Sequence, residues 1–417
     1  MTTIARRSAL TLVAGLCLAA PAAHAQDLVL ENANVIDVTD GSIRAGVTVV
    51  VRDGRIASIG ERPAGPMPGV RIVDVGGMYV APGLMDAHVH VGSADQARRA
   101  LHSGVTTMRS MGSSHYADVG LRELKRNGYL EAPEYLAAGY HVRPPAAEEF
   151  FQDHPELGAW YGSEVRGVDA VRAMTRALVS RGVDFVKTNA TERAGLPDTD
   201  PRKQFYTEGE LRAIVEEAGA AGIGVAAHAH GDAGARAAVS AGVRSIEHGT
   251  YMSAETLTLM QERGTYLVPT IAIVRDLTVA GGDYDDAVLN IRGRHMLPRV
   301  QEMTRTAHRL GVTIVAATDT GYGPNSTTTL AHELLELVEV GLTPLEALRA
   351  ATVNAAALFG LADRTGRVEE GMEADLVVFE RNPLDDIGVV QDVLMVVNDG
   401  RVVVQRGDWP GAGPISP

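Results

Sequence analysis

Short apolar runs alternate with longer amphipathic stretches through the middle of the chain, from about residue 82 to residue 362. The apolar runs near 84–90, 105–111, 135–141, 185–189, 225–230, 245–248, 266–271 and 313–319 read as strands. Stretches such as RTAHRLG and LAHELLELVEVGLTPLEALRA repeat apolar residues three and four apart, which is the helical period. Regular alternation of strand and helix predicts parallel strands joined by crossovers, and eight such units predict an α/β fold closed into a (β/α)8 barrel. The chain ends have another texture. DLVLENANVIDVTDGSIRAGVTVVVRDGRIASIG near the start alternates apolar and polar residues between Gly and Asp turns, and GRVEEGMEADLVVFE and DVLMVVNDGRVVVQRGDW do the same near the end. The expected organisation is a composite β-sandwich domain built from 26–81 and 363–417, beside a barrel over 82–362.

Residues 1–25 stand apart, with Arg6 and Arg7 before an apolar core from Ala9 to Ala20 and a small-x-small end at Ala23-His24-Ala25. This is the pattern of a cleaved export signal, so a periplasmic or secreted destination is expected, by a general or a twin-arginine route. The apolar stretch is too short for a comfortable membrane span. Losing the leader with its two arginines takes the formal charge from −14 to −16, which argues against a nucleic-acid partner and for a small-molecule or peptide substrate. Cys17, the chain's one cysteine, lies in the leader, so the mature chain has no thiolate nucleophile and no disulfide.

The barrel carries the candidate chemistry. His88 and His90 in APGLMDAHVH point to one side of a strand and can reach a single ion together, with Asp86 on the same face. Lys187 in DFVKTNA, His228 in GVAAHAHG, His248 in SIEHGT and Asp319 in VAATDTG also fall at strand ends, the rim where a barrel builds its active site. Imidazole and carboxylate suit zinc and neighbouring divalent metals, and two ions about 3.5–4 Å apart are a recurrent way of activating water. Each residue also has a structural reading: a solvated lysine at 187, a core histidine at 248, a helix N-cap at 319. Ser326 to Thr329 fit the cap better. His228 and His230 share a face, so geometry alone leaves both as ligand candidates.

APGLMDAHVH resembles the PGxxDxHxH opening of the amidohydrolase superfamily, and GRVEEGMEADLVVF resembles its C-terminal signature. VAAHAHG and SIEHGT look like the branch holding Xaa-Pro dipeptidases, related carboxypeptidases and ochratoxin-type amidases. The resemblance implies that His88, His90 and Asp319 hold one divalent metal and His228 and His248 a second, with zinc expected. It also implies that Lys187 bridges them as a carbamate, since a protonated lysine would repel two cations. His230 then falls nearer the rim, where it binds substrate or finishes the strand. In this branch a histidine after strand three and a tyrosine after the strand-six ligand bind the substrate's free α-carboxylate. His141 and Tyr251 stand at those places, with Arg143 adding positive charge.

The implied reaction is attack of a hydroxide shared by the metals on the amide before a C-terminal amino acid, with Asp319 as the catalytic proton carrier. The substrate is then a dipeptide, an Xaa-Pro-like peptide or an N-acyl or N-aroyl amino acid, including ochratoxin-type amides. Deamination or cyclic-amide hydrolysis is the alternative within the superfamily, but the sequence His228-Ala229-His230-Gly231 lacks the glutamate that deaminases pair with this histidine. A non-catalytic binding protein on the same barrel would have no use for Lys187 and Asp319. The insertion from Arg275 to Arg299 is expected to fold over the pocket, and assembly into homo-oligomers is expected from relatives.

Overall fold

The computed structural model describes residues 27–407. The expected export leader 1–25, with Cys17, therefore lies outside the described residues. The N-terminal arm forms strands β1 (Leu28–Ile36), β2 (Ile43–Arg52), β3 (Arg55–Gly60), β4 (Arg71–Asp74) and β5 (Tyr79–Pro82). The central region contributes β6 (Leu84–Val89), β7 (Val105–Ser110), β8 (Glu134–Ala137), β9 (His141–Val142), β10 (Val186–Asn189), β11 (Val225–Gly231), β12 (Ser245–Tyr251) and β13 (Tyr266–Val268). The C-terminal arm adds β14 (Leu376–Phe379), β15 (Met395–Asn398) and β16 (Arg401–Gln405).

The two chain ends share one eight-stranded sheet in the order β16-β15-β14-β5-β1-β2-β3, with β4 also on β1. Its hairpin between β2 and β3 turns on Asp53-Gly54, both at positive φ, the two-residue turn whose twist matches that of the strands. The ends meet where β5 pairs antiparallel with β14, Val80 opposite Val378. The two chain ends thus form one composite sheet with its own core, which includes Leu30, Val49 and Val397, where the sequence leads to the expectation of a sandwich. Alternation along β14 ties this sheet to the rest of the molecule. Leu376 and Val378 enter the small core, while Val377 and Phe379 enter the large one with Leu84 and Val105.

The central strands are parallel throughout, in two runs, β6-β7-β8 and β9-β10-β11-β12-β13, with helices on the crossovers. This is a TIM-barrel-like α/β arrangement. Two expected strands come out differently. The third breaks at Gly139, whose φ of +67° is the left-handed region, so β8 pairs with β7 while β9 pairs with β10. The eighth, 313–319, is irregular and makes parallel bridges from Ile314 to Leu267 and from Thr320 to Val89. Its regular ladder is interrupted because Asp86 takes the backbone N–H of Thr318 and Asp319 adopts φ +57°. The insertion after β13 is mostly helical, Ile271–Asp276 followed by Ala287–Arg309, the latter capped by Asp286. No helix among the described residues is long and apolar enough to cross a membrane.

Because Phe379 is fully buried where the composite sheet meets the large core, Phe379→Ala should destabilise the fold by about 3–5 kcal/mol in urea unfolding. An unchanged midpoint would mean that this strand does not couple the two cores.

Candidate active site

His88 near the end of β6 and His90 just beyond it converge on the Asp319 carboxylate, with His88 Nε2 3.3 Å and His90 Nε2 3.2 Å from Oδ1. The other nitrogen of His88, Nδ1, lies 2.9 Å from Glu247 Oε2. A carboxylate can only accept, so Nδ1 carries the proton and Nε2 presents its lone pair to the pocket. Glu247 is fully buried and accepts two further bonds on Oε1, from Arg109 Nη2 at 2.9 Å and Ser245 Oγ at 2.6 Å. Arg109 is buried as well, donating from Nε to the Ala87 carbonyl and lying over the rings of Phe185 and Phe359. Burial, reinforced by repulsion from Lys187 and neighbouring histidines, pushes the His88 imidazolium well below its usual range. The ring is therefore neutral, the form that binds a metal.

Asp86 does something other than its place on the strand predicts. Its carboxylate accepts from Thr318 N at 3.1 Å, Thr318 Oγ1 at 2.7 Å and Tyr322 Oη at 2.9 Å, fixing the loop that carries Asp319. Burial raises this carboxyl to about 6.

His228, His230 and His248 form a second cluster. Their ring centroids are 4.5–4.8 Å apart, and one nitrogen from each lies within 4.8 Å of the others. A separate hydrogen bond orients each ring: His228 Nε2 to the Glu192 carbonyl at 3.1 Å, His230 Nδ1 to Thr250 Oγ1 at 2.9 Å, and His248 Nδ1 to Thr270 Oγ1 at 2.8 Å. Burial keeps all of them neutral, with the His230 pKa near 3 and those of His228 and His248 well below the ordinary value. His230 thus stands inside the imidazole cluster, closer to ligand geometry than the rim position read from the sequence. His248 sits at φ +74° and Gly249 at φ +73°. Successive strand residues face opposite sides, and here His248 lines the pocket while its neighbour Glu247 holds His88 from behind.

Lys187 on β10 lies among these groups. Its amine is fully buried without a hydrogen-bond partner, and burial lowers its pKa to about 8 although Glu247 and Asp319 pull the other way. Lys187, both clusters, His141, Arg193 and Tyr284 line one pocket together with the apolar Ile273, Val274 and Leu277. His141 is oriented by Asn189 Oδ1 at 2.9 Å and lies 6.2 Å, ring to ring, from His90. Tyr251 is elsewhere, in a hollow lined by Arg202, Arg292 and His295. His102, His115, His154, His295, His308 and His332 are all absent from the pocket lining. Thr329 caps the following helix, leaving Asp319 free for the site.

Sequence reasoning missed the Glu247–Arg109 pair, Arg193 and Tyr284. Arg109 was the available signal, since a charged residue inside the apolar run VTTMRS needs a buried partner. The donor set suits divalent ions: imidazoles and a carboxylate in each other's reach, with an orphaned amine lining the same pocket.

Residues 79–403 match the amidohydrolase family. The chain belongs to that family. Among this amidohydrolase's relatives, the ochratoxinase of Aspergillus niger is 30% identical over 419 residues, spanning 90% of this chain and 85% of the relative. A Xaa-Pro dipeptidase with methionine bound in its active site superposes with a TM-score of 0.79 at 27% identity, covering 91% of this chain and 100% of that one. A prolidase complexed with N-methylphosphonate-L-proline gives a TM-score of 0.77 at 28% identity, with coverages of 91% and 100%.

Arg109→Met would leave Glu247 as a lone buried carboxylate, so this amidohydrolase should lose about 3–5 kcal/mol of stability in urea unfolding. Wild-type stability in that variant would show that the carboxylate reaches water.

Proposed function

We propose that the protein is an exported two-metal amidohydrolase that cleaves the amide before a C-terminal amino acid bearing a free carboxylate, in a dipeptide or an N-acyl amino acid. The observation that carries this reading is the orphaned Lys187 amine lining one pocket with two groups of metal-type donors. His88, His90 and Asp319 would hold one ion and His228 and His248 the other, zinc being the metal assigned, with His230 within reach of the second group. Carboxylation of Lys187 by carbon dioxide requires the neutral amine, which burial favours. The product carries two oxygens and a negative charge, which resolves the conflict between a lysine and two cations. Dipeptidase and ochratoxinase relatives support amide substrates with amino-acid leaving groups.

Divalent ions, when bound, supply Lewis acidity toward the amide carbonyl and bring the ionisation of water near neutral pH. The chain's own residues do the rest. Asp319, held between His88 and His90, accepts the proton of the attacking water and returns it to the departing amine nitrogen. Ile273, Val274 and Leu277 keep bulk water from the reacting carbonyl. The same reading takes the barrel as closed through 314–320, with the domains divided at 81 and 363. Export rests on the leader's Arg6, Arg7 and Ala23–Ala25 pattern, and homo-oligomers are expected as in relatives. Deamination is disfavoured because β11 supplies Ala229 and His230 where a glutamate would be needed.

The test is a panel of Xaa-Pro, Xaa-Phe, Xaa-Arg and N-aroyl amino acids against the purified enzyme, before and after chelator treatment. Cleavage that is lost on stripping and restored by zinc is expected, and chelator-insensitive cleavage would contradict the reading. Lys187→Ala should cut kcat/KM by more than about 100-fold, beyond what is typical for removing an outer-sphere partner. Asp319→Asn should lower kcat by about 10²–10⁴-fold, and activity undiminished in either variant would remove that residue from its role.

A further inference from the structure

We propose that Arg193, backed by Arg143, is the receptor for the substrate's carboxylate, and that the apolar residues lining the same pocket select substrates with bulky apolar groups. This inference rests on the amidohydrolase reading above and specifies its substrate.

Arg193 follows β10 and lines the same pocket as Lys187 and His141. Arg143 is two residues past His141, at the end of β9. No ion pair joins either guanidinium to a protein carboxylate among the described residues. Other arginines of this chain find acids: Arg109 has Glu247, Arg122 has Asp184, and Arg275 has Glu336. Burial and then repulsion from Arg193 lower the Arg143 pKa, opposed by smaller pulls from Tyr206 and then Glu149. Two half-buried like charges without a counter-ion are costly, and an anion arriving with the substrate would relieve both. A guanidinium also matches a carboxylate with two parallel hydrogen bonds.

The receptor is held rigid. Arg292, on the helix Ala287–Arg309, donates to the carbonyls of Ala194 at 2.6 Å, Leu196 at 2.6 Å, Pro197 at 3.0 Å and Thr199 at 2.7 Å. These bonds pin the segment that begins at Arg193, so little ordering is left for the moment of binding. The ring of Tyr284 rests near Gly195, where a Cβ would lie 3.8 Å from its Cε1. In the same pocket the side chains of Ile273, Val274 and Leu277 form an apolar wall. An N-acyl amino acid spanning the two walls would place its carboxylate on Arg193, its apolar bulk on the isoleucine side, and its amide carbonyl over the donor clusters. Tyr251, in its separate hollow, is left without this duty.

The experiment compares kcat/KM for the best amide of the panel and for its C-terminal carboxamide, in wild type, Arg193→Gln, Arg193→Lys and Tyr251→Phe. Thermal melts establish that each variant is folded. Wild type should favour the carboxylate. Arg193→Gln should lose about 30- to 3000-fold on the carboxylate, mostly in KM, with a far smaller change on the carboxamide. Arg193→Lys should recover part of the preference through its charge. If wild type shows no preference, the carboxylate reading itself fails and this inference with it. If wild type discriminates and Arg193→Gln discriminates equally, or Tyr251→Phe abolishes the preference instead, only the arginine assignment is overturned.

Discussion

A lysine amine buried without a partner is the constraint around which this structure is arranged. The Lys187 Nζ atom is enclosed by imidazoles and a carboxylate, yet no hydrogen bond satisfies it. Burial disfavours the charged ammonium there, lowering its pKa to about 8, and either form lacks a hydrogen-bond acceptor. The surroundings accommodate this by being neutral donors: burial holds His88, His228 and His248 unprotonated, so the centre contains lone pairs rather than competing cations. Negative charge enters only through Asp319 at the mouth and Glu247 behind His88, and Arg109 neutralises the latter. The result is a cavity that offers lone pairs and one carboxylate as ligands for cations.

That arrangement depends on backbone distortion at the strand ends. His248, Thr270 and Asp319 all adopt positive φ, which non-glycine residues take up at a cost of about 1–3 kcal/mol each. The distortions are linked in pairs. Thr270 is the hydrogen-bond partner of His248, and the irregular strand before Asp319 is held by Asp86, Thr318 and Tyr322. Regular packing elsewhere compensates, notably β14, which joins the composite sheet to the large core through alternating side chains. Geometry at the site is therefore over-determined by its supports, as a preorganised centre requires.

Much of this was legible in the sequence because period and position carry it. Residues two apart on a strand, as in His88 and His90, announce a shared face, and strand-end placement announces the rim. What period could not reveal is where the chain leaves its regular geometry. Glu247 reads only as the neighbour of His248, yet its carboxylate reaches across to hold His88. Asp86 reads as a companion of His88 and His90, yet its carboxylate is captured by Thr318 and Tyr322. Tyr251 was placed by resemblance alone, and the structure sets it in another hollow, while His230 moves into the imidazole cluster. Arg193 and Tyr284 lie outside regular elements, where periodicity has nothing to say and only tertiary contacts reveal a role.

The central claim is that two ions sit on either side of a carboxylated Lys187. Anomalous diffraction from crystals of the zinc-supplemented enzyme tests it most directly. The account predicts two peaks about 3.5–4 Å apart, one beside His88, His90 and Asp319 and one beside His228 and His248, with planar density extending from Nζ between them. A single peak with an unmodified lysine would contradict it.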